Sequence, residues 1–232
     1  MSNDRLKRYR DEQRDQRELD RQRVTLLVEA VKNGHWENIY YILTADGMPW
    51  EMALRRLTKL RAVPAVSQQA FSRAWMESKS VPLKVRNYSI LCAALRVMLP
   101  PYTGPAVRLF RGACFNEVQR RQYSVSWTDD RSVAERFARD YSEMAHGSVI
   151  LETSAPPAAI IGQIEYPEPL TDAEREEFLH EHPNAIFDEY HHEREFLVDR
   201  RGLETVTVVQ RFSGAAAAGF AEQLTGCRRA HV

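Results

Sequence analysis

The pair Pro100-Pro101 divides this chain of 232 residues into two kinds of hydrophobic pattern. Proline donates no backbone hydrogen bond and drives the residue before it out of the α region, so a helix ends there. Before the pair, apolar residues recur at helical spacing. Val24, Leu27, Val28 and Val31 are followed by Asn33 and Gly34 as a stop, and Met52, Leu54, Leu57 and Leu60 mark a helix over 50–63. Residues 66–78 and the strongly apolar 83–99 read as two more, with Pro64 and Pro82 as punctuation. After Pro105 the period shortens. Runs rich in β-branched and aromatic residues at 107–110, 149–151, 160–164, 196–198 and 206–212 read as strands. Helices are expected from Asp130 through Ala138 and over 171–180, the latter opened by Thr171 and Glu174 as a capping box. The expected class is α+β, with a helical region at 1–101, a mixed domain at 102–212 and a small-residue, Gly-interrupted tail at 213–232.

Charge narrows the partners. Thirty-two basic and 32 acidic residues cancel, which argues against nucleic acid and anionic membrane. Residues 3–23 are almost all charged or Gln with both signs mixed, and read as a solvated helix rather than a basic arm. The amino terminus is too polar for a secretory signal, and no run approaches the ~18 apolar residues that span a bilayer. The cytoplasm is the expected location, with delivery into another cell without a cleaved signal left open. Cys92, Cys114 and Cys227 are an odd number without ligand spacing, which suits a reducing compartment. His180, His182, His191 and His192 crowd one stretch, but no HExxH or comparable pair sits on a helix face, so no metal is expected.

Three short segments carry chemistry: LFRG at 109–112, SVSWT at 124–128 and HEREFLVD at 192–199. Arg111 is expected at the end of an apolar strand, with Gly112 letting a ligand approach the backbone. A guanidinium presents planar, permanently charged donors that match phosphate oxygens in pairs. Ser126 and Thr128, at a strand end before a helix, offer hydroxyls and backbone N–H groups to a ribose. Glu193 and Glu195 flank Arg194, and strand alternation would set both carboxylates on one face. Taken singly, each segment also has a commonplace reading as a surface turn, a helix cap or a charged strand entry.

In this order the segments resemble the Arg, Ser-Thr-Ser and Glu-x-Glu triplet of the R-S-E-class ADP-ribosyltransferases, a resemblance that covers residues 105–212. It implies an ADP-ribosyltransferase-like split β-sheet core that binds NAD in a cleft between two small sheets. It also implies a mono-ADP-ribosyltransferase, a glycosyltransferase that splits NAD as substrate and passes ADP-ribose to a side chain of an unidentified target protein. Arg111 and Gly112 would hold the diphosphate. Ser126, Trp127 and Thr128 stand at the triplet, Ser126 ordering the nicotinamide ribose. Ser-Trp-Thr departs from the strict triplet at two positions and resembles the variant of compact bacterial and phage members, which suggests a toxin or phage effector. Glu195 would stabilise the cationic sugar. Glu193 would position or activate the acceptor, and a Glu there is associated in the family with arginine acceptors. Phe187 and Tyr190, in the loop before it, would help choose the target. The alternatives are an NAD glycohydrolase, in which water replaces the acceptor, and an inactive transferase fold that binds a partner through the helical region with its Trp36, Tyr40, Tyr41, Trp50, Phe71 and Trp75.

Overall fold

The computed structural model of the chain describes residues 3–45, 47–77, 81–144, 147–164 and 193–214. Two compact units divide between Pro101 and Tyr102.

The first unit is helical: α1 (Asn3–Asn33), α2 (Trp36–Thr44), α3 (Trp50–Leu57), α4 (Ala65–Glu77), α5 (Val81–Lys84) and α6 (Tyr88–Met98). The charged segment and the apolar segment that follows it form one helix of 31 residues, about 46 Å long at 1.5 Å per residue. Val24, Leu27, Val28 and Val31 are buried on it, while Leu6, Tyr9 and Leu19 are exposed. Gly34 ends it with φ +71°, and the His35 N–H reaches back to Ala30 O at 3.0 Å, the bond that closes a left-handed helix terminus. The helix α2 was missed from the sequence. The helix expected over 50–63 stops at Leu57 and relaxes into tight turns through Thr58 and Leu60. That expected over 83–99 is two, because the Asn87 side chain accepts from the Ile90 N–H and starts a new helix at Tyr88. Leu54, Leu57, Phe71, Leu91, Leu95 and Met98 form the centre of this unit, where Cys92 packs as a small hydrophobe. Trp50 and Trp75 are buried too, so of the aromatic residues noted, Trp36 and Tyr41 are the ones that reach solvent.

The second unit is an α+β fold: β1 (Val107–Cys114), α7 (Phe115–Arg120), β2 (Ser126–Thr128), α8 (Arg131–Met144), β3 (Ser148–Ala155), β4 (Ile160–Gln163), β5 (Glu195–Val198) and β6 (Thr207–Phe212), with 3-10 turns at Pro157–Ala159 and Arg200–Gly202. The strands form one antiparallel sheet in the order β4-β5-β2-β1-β3-β6. Two separate small sheets were expected. Instead one sheet has a narrow waist: β1 pairs with β3 along its whole length, from Val107↔Ala155 to Cys114↔Ser148, but with β2 only at Phe110↔Thr128. The helix expected over 171–180, Phe187, Tyr190, the four histidines and Cys227 lie outside the described residues, as does the tail from 215 onward.

Each sheet face has its own core. Leu109, Ala113, Trp127, Val149, Leu151, Phe196 and Val198 pack on one side. Phe110 and Ile150 pack on the other against Ala134 and Ala138 of α8, with Phe212 at the margin. No helix among the described residues is long and apolar enough to cross a membrane.

Candidate functional site

The waist of the sheet is where the three segments converge. Glu195, the first residue of β5, pairs with Thr128 of β2, and Thr128 pairs in turn with Phe110 of β1, beside Arg111. Ser126 pairs with Leu197. Paired residues on antiparallel strands share a face, with Cβ atoms about 4.5–5.5 Å apart. Thr128, Ser126 and Glu195 therefore leave the sheet on the side of Phe110 and α8. Alternation sends Trp127 the opposite way. Its ring is 2% exposed, its indole N–H donates to Ser124 O at 3.2 Å, and Tyr123 stands edge-on to it at 6.3 Å. The structure thus places Trp127 in the core, away from the face its two neighbours share.

Arg111 differs from expectation in position. It lies within β1, not at its end, and alternates with Phe110 and Gly112, so it departs on the side of Leu109 and Ala113. Its Nη1 donates to Ser126 O at 2.8 Å, bridging the strands just beyond their single paired position. Its Nη2 meets both carboxylate oxygens of Glu117 on α7, at 3.3 and 3.1 Å. Glu117 Oε2 also accepts from the Ser124 N–H at 3.2 Å and so ties the turn before β2 to the same guanidinium. The Nε of Arg111 is buried with no hydrogen-bond partner among the described residues. Beside this pair, the Cys114 thiol is pushed up, first by burial and then by the Glu117 charge, against the opposing Arg111.

Gly112 serves packing. A Cβ on it would fall against Ala134 O, 2.5 Å from Ala138 N and 2.8 Å from Phe137 Cβ. The room expected there for a ligand is filled by α8, which can approach the strand this closely only over a glycine. The Ser148 hydroxyl, donating to Ala138 O, holds the helix on β3 as well.

The two glutamates do not alternate on one strand. β5 begins at Glu195, and Arg194 before it has φ +45°, in the left-handed region. That turn breaks the period of two. Glu193 is buried, and its Oε1 accepts from Arg136 Nη2 of α8 at 3.4 Å. Arg194 Nη2 donates to Asp129 Oδ2 at 2.6 Å, while Asp129 Oδ1 is buried without a partner among the described residues.

Between Thr128 and α8 the polar run forms a nested cap. Thr128 Oγ1 accepts from the Asp130 N–H at 3.1 Å, and Asp130 Oδ1 accepts from the N–H and hydroxyl of Ser132 at 2.8 and 2.7 Å. The Ser132 hydroxyl and N–H, in that order, lower the Asp130 carboxyl below its ordinary value, with smaller help from the Val133 N–H and the Arg194 charge. Glu117, Asp129 and Arg136 escaped the sequence reading, since each partner lies on another element. The doublet Asp129-Asp130 after a hydroxyl-bearing strand end was the one local signal. No protein-family model, curated protein or solved structure matches the chain.

Proposed function

We propose that the chain is an NAD-dependent mono-ADP-ribosyltransferase, with a protein side chain, arginine foremost, as acceptor. The observation that carries this reading is the waist of the sheet. Residues 111, 126–128 and 195, distant in sequence, come together on three adjacent strands in the order β5-β2-β1. Register alone sets the Glu195 carboxylate on the same face as the Ser126 and Thr128 hydroxyls, the combination a ribose calls for.

The donor set fits NAD as a substrate. Hydroxyls at Ser126 and Thr128 suit a ribose, the unpartnered Asp129 Oδ1 is an acceptor next to them, and the orphaned Arg111 Nε is a buried cationic donor suited to a phosphate oxygen. Splitting the bond between nicotinamide and ribose builds positive charge on the sugar. A carboxylate held in place beforehand stabilises that charge without reorganising, which is the role given to Glu195. Glu193, near the entry to β5, receives the acceptor. A guanidinium is no nucleophile until it gives up a proton, and a neighbouring carboxylate takes it. Arg111 holds β2 to β1 through Ser126 O, so its first contribution is to keep the hydroxyl strand beside β1. Gly112 contributes the close seat of α8 and Trp127 the core beneath the triplet.

Purified protein incubated with NAD labelled in its adenylate half, with and without cell lysate, tests this. Free nicotinamide and protein-bound label are followed beside a Glu195→Gln control. Label on a lysate protein that disappears in the control supports a transferase. Nicotinamide release without bound label would make the chain a glycohydrolase. No turnover under either condition would leave an inactive fold that binds a partner.

A further inference from the structure

The carboxylate assigned to the acceptor already holds a guanidinium from its own chain. Glu193 is buried, with a side chain 11% exposed, and Arg136 reaches it from α8 with a side chain 53% exposed. One Nη2–Oε1 contact of 3.4 Å joins them. This is a long, single-point bond, unlike the paired short contacts by which guanidinium and carboxylate lock together. Arg136 Cζ also lies 5.4 Å from the ring centre of Phe137, a second weak hold. The neighbouring arginines are tied more firmly: Arg139 to Glu135 at 2.5 Å and Arg194 to Asp129 at 2.6 Å. Of these three, Arg136 is the one whose partner is Glu193 and whose hold is loose.

We propose that Arg136 is the chain's own acceptor, a self-modification site whose substitution closes the acceptor seat. This rests on the transferase reading given above. In the step, Arg136 Nη2 gives its proton to Glu193 Oε1, and the freed electron pair forms a bond to the anomeric carbon of the nicotinamide ribose. The bond from that carbon to the ring nitrogen breaks, its electron pair leaves with neutral nicotinamide, and Glu193 passes the proton to solvent. Nothing beyond NAD is consumed. The product carries a bulky, doubly anionic diphosphate on the side chain that had lain against Glu193. Two negative charges and two nucleosides then stand where an incoming guanidinium must dock, so the enzyme falls silent toward other acceptors after about one turnover per chain. A free guanidino compound competes for the same seat, and its presence protects Arg136.

The experiment is peptide mapping by mass spectrometry of the full-length protein after incubation with NAD alone, followed by addition of agmatine as a guanidino probe. The expected result is one ADP-ribose per chain on the peptide that contains Arg136, with later transfer to agmatine slowed in proportion to that occupancy. Agmatine present from the start should lower the label on Arg136 severalfold. Agmatine labelled while Arg136 stays unmodified, or label confined to other residues, would overturn the inference and leave the transferase reading intact. If nicotinamide is never released, the transferase reading fails and the inference with it. An Arg136→Lys chain, which keeps a cation for Glu193 but no guanidinium, supplies the second readout: its transfer to agmatine should not decline with preincubation in NAD. A decline equal to that of the parent protein would place the self-limiting event elsewhere.

Discussion

Arg194, held in a left-handed conformation at φ +45°, donates to Asp129 Oδ2 at 2.6 Å across 65 residues of sequence. The conformation costs a residue with a Cβ about 1 kcal/mol or more, and it persists where surrounding contacts over-determine it. Here the turn separates the two glutamates. It leaves Glu193 buried toward Arg136 and sets Glu195 as the first residue of β5 beside Thr128. Replacing Arg194 by alanine removes the bond and keeps the strain, whereas glycine removes both. Arg194→Gly should therefore be the more stable variant by about 1 kcal/mol in urea unfolding. Both should lose NAD cleavage in kcat rather than in KM, because what changes is the placing of the carboxylates. Equal stabilities would show that the turn is not strained, and an unchanged kcat would detach Arg194 from the site.

That turn also marks where the sequence stops being readable. Local periodicity makes the buried face of α1 and the apolar strand runs legible, since Val24, Leu27, Val28 and Val31 follow the helical repeat without help from distant residues. The segments that converge at the waist were legible as motifs, and their pairing across β5, β2 and β1 is set by register. Period two fails at Arg194 because a backbone excursion into the left-handed region is not written in side-chain polarity. Gly112 was visible as a special residue, but whether a ligand or a helix needs its missing Cβ depends on α8, which begins 19 residues later. The partners of Arg111 and Glu193 lie on α7 and α8 and follow from tertiary packing alone.

Gly112→Ala tests the close seat of α8. The added methyl would meet Ala134 O and Ala138 N, which are backbone atoms that cannot rotate away, so the helix must lift. Overpacking of this kind costs about 1–3 kcal/mol. The expected outcome is a fall of that size in urea unfolding and greater exposure of Phe110 and Ile150 to hydrogen exchange on their strands. A variant as stable as the parent would mean that α8 has room to shift. In that case the glycine is present for a ligand after all.

Asp130 caps α8 through the Ser132 N–H, and loss of such a cap costs about 1 kcal/mol. Its folded carboxyl is more acidic than the unfolded one, so the stabilisation is complete above the unfolded carboxylate range and is lost as pH falls through the folded value. Asparagine caps equally well without titrating. The difference in stability between the parent protein and Asp130→Asn should therefore be flat near neutrality and should shrink in acid, read from urea midpoints across pH. A difference that grows on acidification would reverse the sign and remove the carboxylate from the cap.

Glu117 is the residue on which the role of Arg111 turns. It binds the guanidinium with both oxygens, fastens the turn before β2 through Ser124 N, and raises the Cys114 thiol by its charge. Glu117→Gln keeps one acceptor and the shape while removing the charge. Breaking a mostly buried ion pair on one side costs about 1–3 kcal/mol, to be read as a lower urea midpoint. With Arg111 then unopposed near Cys114, the thiol should move down toward its ordinary value, and alkylation at neutral pH should speed up in the folded protein. The same loss frees an Arg111 nitrogen for an anion, so the KM for NAD should fall if the guanidinium meets the diphosphate. If alkylation speeds up while KM is unchanged, Arg111 is a brace between β1 and β2 and nothing more, and phosphate binding must come from other groups on the Ser126 and Thr128 face.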